Sequence, residues 1–565
     1  AGVAAASTKP ATSQWTGIMR VTLQNGQRLA EALQLQGVNV RADSATLAGI
    51  AAQVDATATE RTTAQWQRLY LDARWAIRRM ALGNPLLDFD SVLFVKRAPT
   101  MFPHLSDQYY GWWSRPGGGV FVLKDFKTDT STVRCLSTGF ADGNFLRPDL
   151  DYDGRKLVVA HSRHYPHVPA VPNKLDKAAL PEDAFYHIYE IDLAPADGGA
   201  EPRRLTRGRY DDFDARYLPD GDIAFLSTRK GDFIQCSREN TQRTNESDLP
   251  DSYVRCGGGN YRPVPVFTLH RMEGTGSDMR PISAFETFEY TPSVANDGRI
   301  LYCRWDYIDR FNGHFFSLWS TNQDGSNAQL VYGNYTKRPQ ATMEPRAIPD
   351  STKIIFTASA HHSITGGSLV LLDRNRGLER NAPITRLTPE VPFPETERNV
   401  GMFYANPWPL SEDVYLVSWS NQRLPGHRRD ASDKNPVNAQ GLYLYDRFGN
   451  LDLIYRDASI SSMSPIPLRP RPRPGVHPEA GRDDQEQVGT LLIQDTYRGL
   501  DGVAPGTVKR LRIVGVPPKV QPHMNRPVLG VSREETGKYI LGSVPVEADG
   551  SAQVRVPSGV PYFFQ

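Results

Sequence analysis

Cysteine is scarce. Only four occur in 565 residues, Cys135, Cys236, Cys256 and Cys303, and no two of them form a Cys-x-x-Cys pair. The chain therefore carries no zinc-ribbon motif and no c-type haem attachment motif. Charge of one sign is missing too: 65 Lys and Arg stand against 63 Asp and Glu, a formal charge of +2, so no basic field marks a nucleic-acid binder. No run approaches the roughly 18 consecutive apolar residues of a membrane span, and no charged segment leads into an apolar one as in a signal peptide. Several catalytic motifs fail as well. Asp149-x-Asp151-x-Asp153-Gly154 starts like a calcium loop, but Ala160 stands where the closing Glu is needed. Gly117-Gly118-Gly119 lacks the Lys-Ser/Thr of a phosphate loop, and no Gly-x-Ser-x-Gly occurs.

Turn formers and aromatics are plentiful instead. With 46 glycines, 43 prolines and 10% aromatic residues, the composition suits a turn-rich β protein of several domains. The opening Ala1-Gly2-Val3-Ala4-Ala5-Ala6-Ser7 resembles the small residues left after signal cleavage, which predicts export to the periplasm or beyond. In an oxidising compartment the expectation is a disulfide between Cys236 and Cys256, which flank a polar Asn/Ser/Gly-rich insertion.

Residues 1–43 show no sustained periodicity, whereas from Ser44 the pattern turns helical, with Trp66, Leu69, Tyr70, Ala73, Ile77 and Met80 on one face until Gly83-Asn84-Pro85 stops it. That face is expected to pack on the next domain. Beyond Asp90 an internal repeat appears. Arg147–Ala160, Ala215–Phe225, Pro292–Tyr302 and Pro345–Phe356 share a strand, a short turn centred on Asp and a second strand. Pro407–Val417 is a looser copy, and Met463–Leu468 is an opening without its hairpin. Each pairs with a second half, at Val120–Leu136, Tyr186–Leu205, Val266–Ile282, Phe316–Val331, Ser368–Leu387 and Leu442–Tyr455. Six second halves predict an all-β fold with a six-bladed β-propeller, in which Ser91–Arg97 supplies the hairpin strand for Met463–Leu468. The expected organisation is a mainly helical segment over 1–90, the propeller over 91–470, a Pro-rich linker over 471–488 and a small β domain over 489–565. The chain ends on Tyr562-Phe563-Phe564-Gln565 as though a strand were cut, which predicts continuation beyond Gln565.

In such blades the hairpins share one rim and the long loops the other. Long loops on a rigid scaffold commonly carry sites, and His161, His164, His167, His314, His361, His362 and His427 all fall on that rim. His161-x-x-His164-x-x-His167 converges on a metal only if a turn intervenes; solvated loop histidines are the competing expectation. The best candidates for acid–base chemistry are His361 and His362 with Arg346 and Glu344, and for a metal ion His314, His361 and His362; Cys256 joins them only if free of Cys236. The first residues of the openings, Arg147, Asp214, Arg216, Glu344, Arg346, Asn406 and Trp408, should ring the channel mouth. Their mixed charges suit either a small anion or pairing among themselves.

Phe94–Arg97, Arg262–His270, Arg304–Tyr307, Ala405–Asp413, Leu444–Asn450, Ser464–Pro470 and Gly542–Ser551 together resemble the family named after the hydrazine synthase alpha subunit. The likeness runs from about Trp66 to the end. It implies a periplasmic or secreted protein with a TolB-like six-bladed propeller between N-terminal and C-terminal domains. The founding enzyme joins nitric oxide and ammonium-derived nitrogen at c-type haem, and no Cys-x-x-Cys-His exists in this chain. Relatives carry that motif shortly beyond the point where this chain stops, so a haem is expected only in a tail beyond Gln565. Two functional classes follow: a redox or metal-dependent enzyme or enzyme subunit, or a non-catalytic propeller that binds a partner subunit or cytochrome on the loop-rich rim.

Overall fold

The computed structural model describes residues 12–565 apart from 57–60, 173, 175, 194–200, 230–253, 258–261, 284, 286, 307–309, 311–313, 399, 427–435, 481–486, 518–525, 532, 534 and 559; at 12–13, 254–257 and 262–264 only the backbone is described. His427 and the Cys236–Cys256 pairing lie outside these residues.

Three helices open the chain: α1 (Thr12–Leu35), α2 (Arg41–Asp55) and α3 (Thr63–Leu82). The first corrects the expectation of an unpatterned start. Trp15, Met19, Leu23, Ala30 and Leu33 do recur at helical spacing and are buried, but Gly17, Asn25, Gly26 and the threonines between them dilute the signal. Gly26 permits the tight helix contact, since a Cβ there would lie 2.7 Å from Ile77 Cγ1. Thr62 and Gln65 form a capping box that starts α3. Its apolar face packs as expected, joining Phe89, Phe94, Leu410, Leu416, Leu442 and Leu444 of the following sheets in one core. Arg74 reinforces that contact, donating to Asp452 Oδ1 (2.9 Å) and to the Leu451 carbonyl (2.6 Å).

The fold is mostly β and propeller-like. Among the described residues, six antiparallel four-stranded units follow, with first strands at Gly143–Leu150, Asp212–Tyr217, Glu289–Val294, Ala341–Ala347, Phe403–Pro409 and Ser461–Pro467. The units beginning at Glu289 and Ala341 join through a single parallel bridge, Phe316 to Ala341. Every second half read from the sequence forms strands, and among the described residues the only helical turn within them is the 3₁₀ turn Arg374–Arg376. Ser461–Pro467 pairs antiparallel with Ser91–Arg97, as the sequence predicts.

Five of the six first strands carry X-Pro-Y at their centre: Arg147-Pro148-Asp149, Thr291-Pro292-Ser293, Glu344-Pro345-Arg346, Asn406-Pro407-Trp408 and Ser464-Pro465-Ile466; Asp214-Ala215-Arg216 is the sixth. The ladder slips there in every unit. Proline lacks an N–H, so it tolerates the unpaired centre of a bulge. The X residue is left-handed at Asp214, Thr291, Glu344, Asn406 and Ser464 (φ 50°, 49°, 55°, 51° and 56°). Such a φ costs a non-glycine residue about 1–3 kcal/mol.

The Arg469–Pro474 run is extended but does not leave the sheets as a spacer. The Arg471 amide donates to the Tyr152 carbonyl (2.9 Å), Arg473 Nη1 to the Pro219 carbonyl (3.2 Å), and the Ala480 amide to Asp324 Oδ2 (2.7 Å), while His477 Nε2 lies 2.7 Å from the Asp297 carbonyl. The chain is thus a strap across consecutive turns of the hairpin rim. Beyond it, Val488–Ile493 pairs with Ala552–Pro557, and Arg510–Gly515 with Tyr539–Pro545 and Tyr562–Phe564, around a small core of Ile513, Val554 and Val556.

Lys96 on Ser91–Arg97 clasps the approach to Ser461–Pro467 through Asp457 (2.7 Å) and lies over the rings of Phe121 and Tyr455. Partial burial opposes the charge on Asp457, yet Lys96 and Ser459 hold its carboxyl well below the usual carboxylate range. A depressed carboxyl stabilises the fold above its unfolded pKa and loses that contribution as pH falls towards the folded value. Asp457→Asn should therefore lower stability at pH 7, by no more than about 1 kcal/mol for a pair that solvent still partly screens. In denaturant titrations the gap from wild type should close as pH falls below 3.8. A gap that persists at lower pH would refute the ion-pair origin.

Candidate functional site

The six bulges aim their X side chains inward as one tier and their Y side chains as a second, nearer the hairpins. In the X tier Arg147 donates from Nη1 to Asp214 Oδ2 (2.7 Å) and from Nη2 to the Tyr109 hydroxyl (2.7 Å), with Glu344 Oε1 3.3 Å from Nη2. Glu344 also accepts from the amide and side chain of Asn406 and from Thr357 Oγ1 (2.9 Å), and its own amide donates to Thr291 Oγ1 (2.8 Å). Asn406 Oδ1 accepts in turn from Ser418 Oγ (3.0 Å) and the Ser464 amide (3.2 Å). Glu344 is thus a centre of the axial network, and this tier is the paired arrangement that the sequence left open.

A segment unrecognised in the sequence closes the loop side of the channel. Residues 98–113, inserted between Ser91–Arg97 and Gly119–Lys124, fold into two 3₁₀ turns, Asp107–Tyr109 and Gly111–Trp113. Tyr109 stacks on Phe213 (5.0 Å, 5°), while Ser106 bonds to the Tyr290 hydroxyl (2.8 Å) and Gln108 to Thr365 (3.1 Å). The Gly111 amide donates to Asp211 Oδ1 (3.0 Å), and a Cβ at Gly111 would sit 1.9 Å from the Ala184 carbonyl oxygen. Only glycine fits.

This plug supplies the partner that the histidine pair lacked. His361 and His362 stack at 4.2 Å with 23° between planes, and His104 meets His361 at 4.9 Å. The Leu105 amide donates to the His361 carbonyl (3.1 Å) and seats the plug beside the pair. His104 Nδ1 is 2.8 Å from Asp107 Oδ2, and His362 Nδ1 is 2.8 Å from Glu395 Oε1. Burial opposes the charge on Glu395, but His362 beside it holds the carboxyl below its ordinary range. His104 and His361 are buried, while His362 has 42% of its side chain exposed and forms the open end. The arrangement can take up and release a proton at one exposed imidazole backed by a carboxylate.

His314 rests against Phe315 (5.9 Å). Arg346 stands near the hairpin end of Ala341–Ala347, opposite Ile355, whereas His361 follows the loop end of the paired strand. Among the described residues no group of three or more His, Cys, Asp or Glu is arranged to hold a metal ion. His161 turns inward to the Ala141 carbonyl (3.0 Å), and burial pushes its imidazole down to about 4. His164 turns instead to the Ser114 carbonyl (3.2 Å), so these two do not converge. Nor do the residues fit a covalently attached haem: no two cysteines share the required spacing, and burial pushes the Cys303 thiol up to about 12.

The Y tier is charged differently. Arg216 donates from Nε to the Pro292 carbonyl (2.9 Å) and from Nη1 to the Ala215 carbonyl (2.7 Å), and Arg346 lies over the Trp408 ring at 4.1 Å. Arg471 of the strap reaches Asp149 at 3.0 Å. Arg216, Arg346 and Trp408 line a cavity of about 390 Å³, its open mouth included, walled also by Arg147, Glu344, the bulge prolines and Ile466.

Solved structures supply the likeness in fold. Hydrazine synthase from Kuenenia stuttgartiensis superposes with a TM-score of 0.56 at 17% identity, covering 84% of this chain and 65% of that one. The chain thus spans about two thirds of that protein's length. TolB from Acinetobacter baumannii gives a TM-score of 0.35 at 13% identity over 72% of this chain and 73% of its own. No family model matches the sequence, and no curated protein matches it. At these identities the likeness to hydrazine synthase is one of fold.

Removing the Arg147 guanidinium leaves buried Asp214 and Glu344 without their cation. Arg147→Met should therefore cost about 3–5 kcal/mol in chemical denaturation. Adding Asp214→Asn and Glu344→Gln should recover most of that loss. A loss under about 1 kcal/mol in the single variant would show that the carboxylates do not depend on Arg147.

Proposed function

We propose that this chain is an exported, closed six-bladed propeller acting as a subunit of a redox enzyme of the hydrazine synthase alpha kind. Closure is supported by the strand succession: Ser461–Pro467 adjoins Phe403–Pro409 on one side and Gly143–Leu150 on the other. The observation that carries the functional reading is the imidazole cluster at the plugged loop rim, with His362 exposed and backed by Glu395. Its role is proton delivery to a small polar substrate. Because this sequence has no haem attachment motif of its own, the electron carrier belongs to a partner subunit or cytochrome docked on the same rim, or to a segment beyond Gln565. The competing reading is a non-catalytic scaffold, and it is favoured by the axial network being spent on internal pairing.

Purification from the native host separates the two. The redox reading expects the chain to co-elute in constant proportion with Soret absorbance, in a species heavier than 63.1 kDa or in a chain of greater mass bearing the haem. A 63.1 kDa protein eluting alone, with no chromophore and no metal, would overturn it in favour of the scaffold.

A further inference from the structure

We propose that the hairpin-side mouth of the axial channel is a binding site for a small oxyanion, held between the guanidiniums of Arg216 and Arg346. The site is independent of the imidazole cluster, which lies at the other end of the channel. The cavity lining brings together the guanidiniums of Arg147, Arg216 and Arg346 with one carboxylate, Glu344, which Arg147, Asn406 and Thr357 already engage, and beside it Arg471 of the strap pairs with Asp149. Asp149 is likewise engaged, accepting from Arg471 and from the Tyr217 amide (3.1 Å). Arg216 is only 4% exposed, and its hydrogen bonds go to carbonyl oxygens rather than to a carboxylate, with Asp214 and Asp149 favouring its charge from farther off. Among the described residues Arg346 has no carboxylate in ion-pair contact, and its one close partner is the face of Trp408. Burial, with Arg216 nearby, pushes the Arg346 guanidinium down to about 9, which leaves it protonated at neutral pH.

Two like charges held together, neither with a carboxylate in direct contact, repel each other in a medium of reduced dielectric, and an anion between them relieves it. A planar guanidinium offers paired N–H donors in a fork that fits two oxygens of one group, so a carboxylate, sulfate or phosphate matches the donors where a halide cannot engage the fork. The prolines at 148, 292, 345, 407 and 465 and the Ile466 side chain give the walls an apolar share, beside the polar Thr291, Ser293, Asn406 and Ser464. Those same rings would cover the carbon body of a small organic acid, whereas an inorganic ion would leave them wet. The strap holds Arg471 over Tyr152 (4.5 Å) and Trp408 (5.8 Å), so one side of the mouth is narrowed by a further cation.

Trp408 is a built-in reporter, since anything that draws Arg346 off its ring alters the fluorescence. Sodium sulfate, sodium phosphate and sodium succinate are titrated separately into the full chain at constant ionic strength, with sodium chloride as the control. The expected result is a saturable change with at least one oxyanion and none with chloride. Arg346→Met should weaken binding about tenfold or more, Arg216→Lys likewise, and Trp408→Phe should lose the optical signal while calorimetry still records binding. Preference for succinate identifies an organic acid as the ligand class, and preference for sulfate or phosphate an inorganic one. Arg346→Lys keeps the charge without the fork and replaces Arg346→Met if that variant fails to melt cooperatively. No saturation with any oxyanion, or unchanged affinity when Arg346 or Arg216 is replaced, would overturn the site.

Discussion

A charged side chain on the axis of six sheets has no water to fall back on, and Arg147 is the charge on which this axis turns. It touches two carboxylates and a phenol that come from three places far apart in the chain: Asp214 of one sheet, Glu344 of another and Tyr109 of the plug. Pairing a buried ion costs desolvation that is recovered only when every partner is held in register. The contact therefore ties the spacing of the sheets, the seating of the plug and the direction of the bulged side chains into one condition. Glu344 extends it, since its second oxygen fixes Asn406, and Asn406 fixes the strand at Ser464.

The bulges make this condition possible. In a regular strand successive side chains alternate between faces, so neighbouring sheets would point only every second residue towards the axis. X and Y stand two residues apart and so share a face in either case; the slipped ladder, with its left-handed X residue, bends the strand there and re-aims that pair. Five prolines at the bulge centre remove amides that would otherwise face the channel unpaired. The backbone strain at Asp214, Thr291, Glu344, Asn406 and Ser464 is stored where the polar contacts converge. Strain of this kind persists when surrounding contacts over-determine it, and here the X-tier hydrogen bonds do so.

The legible part of the molecule is the part built from local signals. Turns centred on Asp recur beside apolar strands, so the six openings and their second halves could be read directly, and with them the identity of Arg147, Asp214, Arg216, Glu344, Arg346, Asn406 and Trp408 as axial residues. The recurrence of X-Pro-Y was visible as well, and would have added Thr291, Ser293 and Ser464 to that set. The plug was not legible, because its anchors at Asp211, Tyr290, His361 and Thr365 lie a hundred or more residues away and leave no periodicity. His104 was missed for that reason. Helix α1 went unread because small and polar residues interrupt its apolar stripe, and the strap because a Pro-Arg repeat looks alike whether it is solvated or docked.

The two tiers also explain why a paired axis and an unpaired mouth coexist a few residues apart. X side chains are largely buried between plug and sheets, where an unpaired charge is costly. Arg216 is buried as well and Arg346 half-buried, but both line the cavity that opens at the hairpin side, through whose mouth water and mobile ions reach them at lower cost. The imidazoles occupy the opposite end, separated by the hydrogen-bonded network around Arg147 and Glu344. The plug, the X tier and the strap thus set an imidazole cluster at the loop side and guanidiniums at the hairpin side, with a hydrogen-bonded network between them.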